Sequence, residues 1–302
     1  MMRVFIDGAA GTTGLEIEER LAGRTEFELL RLDEGRRKDS GARRDALNAA
    51  DVVILCLPDD AAIEAVALVD NATTRIIDAS SAHRVAVGWT YGFPELGHDV
   101  AGARRVSNPG CYPTGFLALV APLVRAGVVP SDWALSVNAV SGYSGGGKAL
   151  IARYRSDPGL GHRAYGFDLA HKHLPEMQRH AGLAHAPVFA PSVARAFRGM
   201  IVEVPLSLTG IGANAAQVRE ILREALDGRG VISVVDDRPD ELLLHDDAVP
   251  HDGLTVRVLA SSDDNQCRLI ATLDNLGKGA AGAAVQNLNL MAGLPELTGL
   301  RL

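Results

Sequence analysis

Strand-length apolar runs alternate with helix-period segments over the first third of the chain. Arg3-Val4-Phe5-Ile6-Asp7 predicts a first strand, and Leu15, Ile17 and Leu21 recur at helical spacing just after it. Phe27 to Leu32 predicts a second strand. Ala50 to Leu57 predicts a third, apolar almost throughout as a buried parallel strand is. A helix begins at Pro58-Asp59-Asp60-Ala61, and Arg75 to Asp78 forms another strand. Strands alternating with helices predict an α/β, doubly wound parallel sheet.

Past residue 110 the pattern changes. Leu135 to Val140, Met200 to Leu206, Leu254 to Ala260 and Cys267 to Leu273 read as strands, and Val218 to Leu226 as a helix. Strands with long connections predict a mixed or antiparallel sheet covered by helices on one face, an α+β domain. Gly279 to Met291 is Ala-rich with Val285, Leu288 and Met291 on one face, a helix expected to pack back on the first domain. No internal repeat or low-complexity linker interrupts the chain. Asp236 to Asp252 is its most polar stretch and is expected at the surface.

Composition narrows the setting. The 302 residues carry a net charge of -7, with 22% charged residues, which suits a soluble protein of two domains. Mild acidity argues against nucleic acid or an anionic membrane as the main partner, and no apolar run reaches the length of a membrane span. Met1-Met2-Arg3 leads directly into strand pattern, so no secretory signal is expected. Three cysteines, Cys56, Cys111 and Cys267, make no disulfide framework and suit a reducing cytoplasm. Cys56 and Cys267 lie in strand-like runs and are expected to be packed and inert.

Cys111 stands apart. In Ser107-Asn108-Pro109-Gly110-Cys111-Tyr112-Pro113-Thr114-Gly115, Pro and Gly force a tight turn, and the apolar run from Phe116 follows at once. The thiol is placed where a helix begins. There the free N–H groups and the helix dipole favour a thiolate, and the same groups can hold an oxyanion.

Gly8-x-x-Gly11-x-x-Gly14 lies between a strand and a helix, where glycines admit a pyrophosphate to the helix N-terminus. The cofactor choice stays open from the residues alone. Asp33 lies where an acidic residue would hold a ribose hydroxyl, whereas Arg31 and Arg36-Arg37-Lys38 suit a 2′-phosphate. In Tyr165-x5-His171-Lys172-His173-Leu174-Pro175-Glu176, an extended backbone would point His171 and His173 the same way, with Glu176 orienting one ring. No third ligand adjoins them, so acid/base work is favoured over a metal, and none is expected. Ser141 to Lys148 is a second Gly-rich loop suited to an anion. Asp78 to Arg84 closes a sheet strand, which places Ser80 and Arg84 at the expected ligand edge. Arg198 is a candidate for a substrate carboxylate.

The motif around Cys111 resembles the active-site sequence of the N-acetyl-gamma-glutamyl-phosphate reductases. The resemblance extends to the glycine loop, Asp78 to Arg84, Tyr91 to Leu96, the loop ending at Lys148, His171 to Glu176, Asp274 to Ala280 and Val285 to Asn287. Length and Ser141 to Lys148 look like the shorter of two subtypes. Ser81-Ala82-His83 departs from the Ala-Asp-Phe or Ala-Asp-Tyr of the longer form, which leaves His83 without an assigned role.

The resemblance implies a Rossmann domain, residues 1–110 with 278–302, that binds NADP(H) and is completed by the C-terminal helix. It also implies a catalytic domain like that of glyceraldehyde-3-phosphate dehydrogenase over 111–277, and a homodimer or homotetramer. The implied reaction forms a thioester on Cys111, releases inorganic phosphate and yields a semialdehyde. His171 is the expected acid/base, with His173 exchangeable for it. Asn108, Ser141, Ser144, Lys148, Tyr165, Glu176 and Arg84, with His173, are the expected substrate contacts. Gly8, Ala10, Gly11, Thr12, Thr13, Gly14, Arg31, Arg36, Ser80, Pro113 and Asn275 are the expected cofactor contacts.

Reductases of aspartyl phosphate or N-acetyl-aminoadipyl phosphate are the nearest alternatives, since one methylene is worth only about 1–3 kcal/mol in a pocket. A cofactor-free cysteine hydrolase and a non-catalytic NADP sensor stand further off.

Overall fold

The computed structural model describes residues 1–37 and 39–302. Lys38, one of the basic residues that suit a 2′-phosphate, lies outside the described residues. The chain divides into two units, Met1–Pro109 with Ala280–Leu300, and Gly110–Gly279 with Arg301–Leu302.

In the first unit the strands are β1 (Met2–Asp7), β2 (Phe27–Leu30), β3 (Val52–Leu55), β4 (Arg75–Asp78), β5 (Thr90–Tyr91) and β6 (Arg105–Ser107). They form one sheet in the order β2-β1-β3-β4-β6-β5, parallel throughout. Helices α1 (Thr12–Leu21), α2 (Ser40–Ala49) and α3 (Asp59–Leu68) connect the early strands. Val52 to Leu55 is buried on both faces, which is why that run reads as continuously apolar. Ile17 and Leu21 turn inward as their spacing predicts, but Leu15 is exposed.

The third strand is shorter than its apolar run, and Cys56 sits just past its end rather than within it. The second strand likewise stops at Leu30. The C-terminal helix, Gly282–Met291, contributes Val285, Leu288 and Met291 to a core shared with Val4, Ile6 and Ile54. Arg75 ties it down by donating to the carbonyls of Met291, Ala101 and Ala103.

The second unit begins with α4 (Cys111–Arg125) and continues through β7 (Ser136–Gly142), α5 (Gly147–Ser156), β8 (His162–Ala164), α6 (Leu174–Ala181) and β9 (Val188–Ala194). It is completed by β10 (Met200–Ser207), α7 (Leu208–Ile211), α8 (Ala215–Leu226), β11 (Ile232–Val235), β12 (Leu254–Ala260) and β13 (Gln266–Leu273). The strands make one mixed sheet, β11-β12-β13-β10-β7-β9-β8. β7 pairs with β9 and β11 with β12 in parallel, and the other pairs are antiparallel.

Residues alternate between buried and accessible along β10 and β12, as a sheet covered on one face requires. α4 packs on that face through Gly115, where an added Cβ would lie 2.7 Å from Val202 Cγ2. The stretch Asp236 to Asp252 lies at the surface as expected and is irregular, though Asp252 is buried and accepts from the Arg301 N–H at 2.9 Å. Among the described residues no helix is long and apolar enough to cross a membrane.

Because the C-terminal helix supplies core to the first sheet, Leu288→Ala should cost roughly 2–5 kcal/mol of stability. Denaturant unfolding of the two proteins measures this, and an unchanged midpoint would contradict the packing.

Candidate active site

The glycine loop of the first unit owes its path to atoms that are absent. Gly8 has φ of +90°, and a Cβ there would fall 2.3 Å from the Cys56 carbonyl oxygen. A Cβ on Gly14 would lie 2.6 Å from the Gly8 carbonyl oxygen. The Gly11 N–H donates to that same oxygen at 2.9 Å, and Gly11 starts α1 with no side-chain cap. Thr12 and Thr13 form the first turn, so the helix N-terminus faces the loop with its amides bare.

A cleft of about 470 Å³ opens beside the loop, lined by Gly8, Ala9, Ala10, Arg31, Arg37 and Arg43 among others. Arg31 pairs with Glu18 at 3.2 Å, and Arg43 is bound to the buried Asp7 at 3.0 Å. Arg36 lies in the exposed turn Glu34–Arg36 and does not line the cleft; its neighbour Arg37 does. Asp33 is away from the lining as well. Arg43 carries no signal in the sequence, because no motif links it to Asp7, 36 residues earlier.

At the end of β4 the Asp78 carboxylate is fully buried. It accepts from the Ser80 N–H at 2.9 Å and the Ser80 hydroxyl at 2.7 Å, and His83 Nδ1 lies 2.6 Å from it. His83 stacks on Trp89 with centroids 4.1 Å apart. Arg84 is buried and donates to the carbonyls of Asn108 and Ala79. Asn108 donates to the Ala280 carbonyl and accepts from Asn287. These side chains hold together the strand ends of their own unit.

In the second unit Cys111 is the first residue of α4, half-buried, with Gly110 as the N-cap. The Gly110 N–H donates to Glu176 Oε2 at 3.2 Å, which fixes the turn before the thiol. Gly279 passes behind it, where a Cβ would lie 2.9 Å from Cys111 Cβ. No acidic residue occupies the first turn of α4, so no carboxylate of that turn opposes the dipole acting on the sulfur. The other two thiols are the reverse case. Burial, reinforced by nearby aspartates, pushes both Cys56 and Cys267 up to about 12, so they are inert at neutral pH.

The histidine segment is not extended. It turns at residues 172–173, and His173 takes helical angles as the N-cap of α6. The rings of His171 and His173 therefore pack edge to face, 4.7 Å apart, instead of projecting side by side. His171 Nδ1 accepts from the His173 N–H at 3.1 Å, and Nε2 lies 3.4 Å from the Tyr165 hydroxyl. Glu176 Oε1 is 4.0 Å from His173 Nε2.

Burial, aided by the charge on Lys172 and partly offset by Asp168, lowers the pKa of His171 from 6.5 to about 4. It is thus neutral at neutral pH. Tyr112, the residue after the nucleophile, packs at 6.1 Å from the His171 ring and 5.9 Å from that of His173. Burial raises the pKa of both Tyr112 and Tyr165, and the charge of Cys111 pushes them the same way. Tyr112, the residue that follows the thiol in α4, thus packs against both histidines.

The second Gly-rich loop is not a loose linker. It forms a tight turn at Tyr143–Gly146 and then α5, with Lys148 in the first turn. Ser144 Oγ accepts from Asn275 Nδ2 at 2.8 Å, and a Cβ on Gly145 would touch both Ser141 Oγ and Asn275 Nδ2. Asn275 Oδ1 is buried with no hydrogen-bond partner, an acceptor left for a ligand N–H. Pro113 is buried inside the first turn of α4. Arg198 is bound to Asp274 at 2.8 Å. Among the described residues no three His, Cys, Asp or Glu side chains gather as metal ligands.

Two family profiles match the chain, the semialdehyde dehydrogenase NAD binding domain over residues 3–103 and the semialdehyde dehydrogenase dimerisation domain over 111–275. An N-acetyl-gamma-glutamyl-phosphate reductase of Trichormus variabilis is 46% identical, with 99% of each chain covered. One from Brucella anthropi is 48% identical over 96% of this chain and 98% of its own. Among solved structures, aspartate semialdehyde dehydrogenase II of Vibrio cholerae, complexed with ASA, superposes with a TM-score of 0.72 at 18% identity, covering 97% of this chain and 98% of its own. The Candida albicans aspartate semialdehyde dehydrogenase with NADP gives 0.68 at 16%, covering 97% and 99%. At such identities the likeness is one of fold.

The half-buried His171 should titrate near 4 by NMR; a midpoint near 6.5 would contradict its desolvation. The sign for stability follows. Its contribution is complete above 6.5 and is lost as pH falls towards 4, because the unfolded chain takes up the proton first.

Proposed function

This chain belongs to the N-acetyl-gamma-glutamyl-phosphate reductases of the semialdehyde dehydrogenase family, and from that premise we propose that it reduces N-acetyl-L-glutamyl 5-phosphate with NADPH. The products are N-acetyl-L-glutamate 5-semialdehyde and inorganic phosphate, a step of arginine biosynthesis. The observation that carries this reading is Cys111 as the first residue of α4, with the neutral His171 cluster against its neighbour Tyr112.

The thiolate of Cys111 attacks the acyl carbon. A C–S bond forms as the C–O bond to phosphate breaks, and phosphate leaves with the electron pair. The positive end of the α4 dipole stabilises the oxyanion on the way. When bound, NADPH supplies the hydride that reduces the resulting thioester. The neutral His171 ring donates a hydrogen bond to the oxygen that gains charge, keeps its proton, and releases that bond as the carbonyl re-forms. Collapse of the reduced adduct returns the thiolate. Ser141, Ser144, Lys148 and the backbone of their loop receive the phosphate, while His173 and Glu176 hold the rest of the substrate.

The residues present fit a dinucleotide. At Gly8 and Gly14 a Cβ would strike the backbone of Cys56 and of Gly8–Ala9, so glycine lets the loop fold tightly at the N-terminus of α1, an end suited to a pyrophosphate. Gly8, Ala10, Gly11, Thr12, Thr13 and Gly14 would hold it, with Arg31 and Arg37 on the 2′-phosphate. The first unit is the cofactor-binding domain in this reading and the second the catalytic one. Self-association into a homodimer or homotetramer through the second, and a cytoplasmic location, complete the proposal.

Cys111→Ser should abolish phosphate-dependent reduction of NADP by N-acetyl-glutamate semialdehyde while leaving NADP binding intact. Turnover retained in that variant would remove the covalent mechanism. Replacing Arg37 by Ala should raise KM for NADPH about 10-fold or more, as loss of a charge-assisted contact does, with little effect on NADH. Equal effects on both cofactors would place the arginine elsewhere.

A further inference from the structure

The polar atoms around His171 form a chain whose direction is set at both ends. At one end the His173 N–H, which can only donate, meets His171 Nδ1 at 3.1 Å. A neutral ring that accepts at Nδ1 carries its proton on Nε2. That proton points at the Tyr165 oxygen, 3.4 Å away. The Tyr165 hydroxyl then donates to the Tyr112 oxygen at 3.4 Å, and the Tyr112 hydroxyl donates to the Ser192 carbonyl at 2.9 Å. The carbonyl can only accept. Each hydroxyl has one hydrogen, so no other orientation satisfies the whole chain.

Packing fixes the frame. Tyr112 is buried, wedged edge-on against Phe189 at 5.1 Å, and Phe189 in turn packs 5.0 Å from His171. Ser192 is held in β9, where its own hydroxyl donates to the Ala139 carbonyl on β7. The second residue of the nucleophile's helix is thus joined, through one tyrosine, to the catalytic imidazole.

We propose that Tyr112 is a positioning residue which, through Tyr165, holds His171 as the Nε2–H tautomer, a hydrogen-bond donor in the resting enzyme. This rests on the reaction proposed above for the role of His171, but the tautomer itself does not. Without the Tyr112 oxygen, the Tyr165 hydroxyl loses its acceptor and turns its hydrogen towards His171 Nε2. That orientation favours the Nδ1–H tautomer, which the His173 N–H opposes, so the ring is left divided between two states.

The test is histidine ¹⁵N NMR of the full-length protein without ligands, the His171 signals being assigned by their loss in His171→Gln. The wild type should show a protonated Nε2 and an unprotonated Nδ1. Tyr112→Phe should move both shifts towards an average, whereas Tyr165→Phe, which leaves no hydroxyl to donate to Nε2 and keeps the His173 N–H on Nδ1, should not. In the phosphate-dependent assay Tyr112→Phe should lose about 10-fold in kcat with KM changed little, as misplacement of a catalytic group does. The double variant should return to the wild-type shifts, because without the Tyr165 hydroxyl nothing donates to Nε2.

Unchanged His171 shifts in Tyr112→Phe, or averaged shifts that persist in the double variant, would overturn the proposal. If Tyr112→Phe melts early because the Ser192 carbonyl is left without its donor, its shifts are read below its melting midpoint and compared with those of the double variant at the same temperature. The NMR result stands whether or not the assay substrate is the right one, so failure of the reaction assignment and failure of the chain are separable.

Discussion

The start of α4 is the constraint on which the catalytic half of this protein depends. A thiolate there needs the positive end of a helix dipole, a rigid turn and no acidic side chain within that turn. Glu176 meets the second need by taking the Gly110 N–H, one residue before the sulfur, so its carboxylate is engaged by a backbone donor. Gly279 meets it from behind, since any side chain would collide with Cys111 Cβ. The histidine-bearing segment and the segment that follows β13 therefore both converge on one helical turn, and neither can shift without moving the nucleophile.

Burial acts in opposite senses on groups of the same type. Cys56 and Cys267 are taken out of reach by desolvation, whereas Cys111 stays half-buried at a helix end where negative charge is welcome. His171 is desolvated as well, but for an imidazole that keeps the ring neutral, a hydrogen-bond donor at neutral pH. Asp78 and Asp7 show how the first unit manages buried carboxylates. Asp78 takes the Ser80 amide and hydroxyl together with His83, and Asp7 takes a two-point contact from Arg43. The second of these ties together segments far apart in the chain.

Much of this was legible in the residues. The alternation through the first third pointed to the parallel sheet, because a strand buried on both faces must be apolar throughout. The turn before Cys111 was readable because Pro and Gly act locally. Gly8, Gly11 and Gly14 were readable for the same reason: their spacing reflects a backbone path that admits no side chain. The histidine pair misled, since two-residue spacing indicates a shared side only in extended chain, and here the Pro175 that follows starts α6 and turns the backbone.

What the sequence by itself determined is therefore the set of local decisions: where helices start, which runs are buried, which thiol meets a helix end. Only the tertiary structure decided the partners. Arg37 rather than Arg36 lines the cleft because a single turn rotates one of them away. Tyr112 belongs to the site, not merely to the helix, because Tyr165 and Ser192 reach it from 53 and 80 residues further along. Local rules follow from covalent geometry and nearest neighbours, which sequence states directly. Hydrogen bonds between distant segments depend on how the sheet and helices pack, and packing is a property of the whole chain.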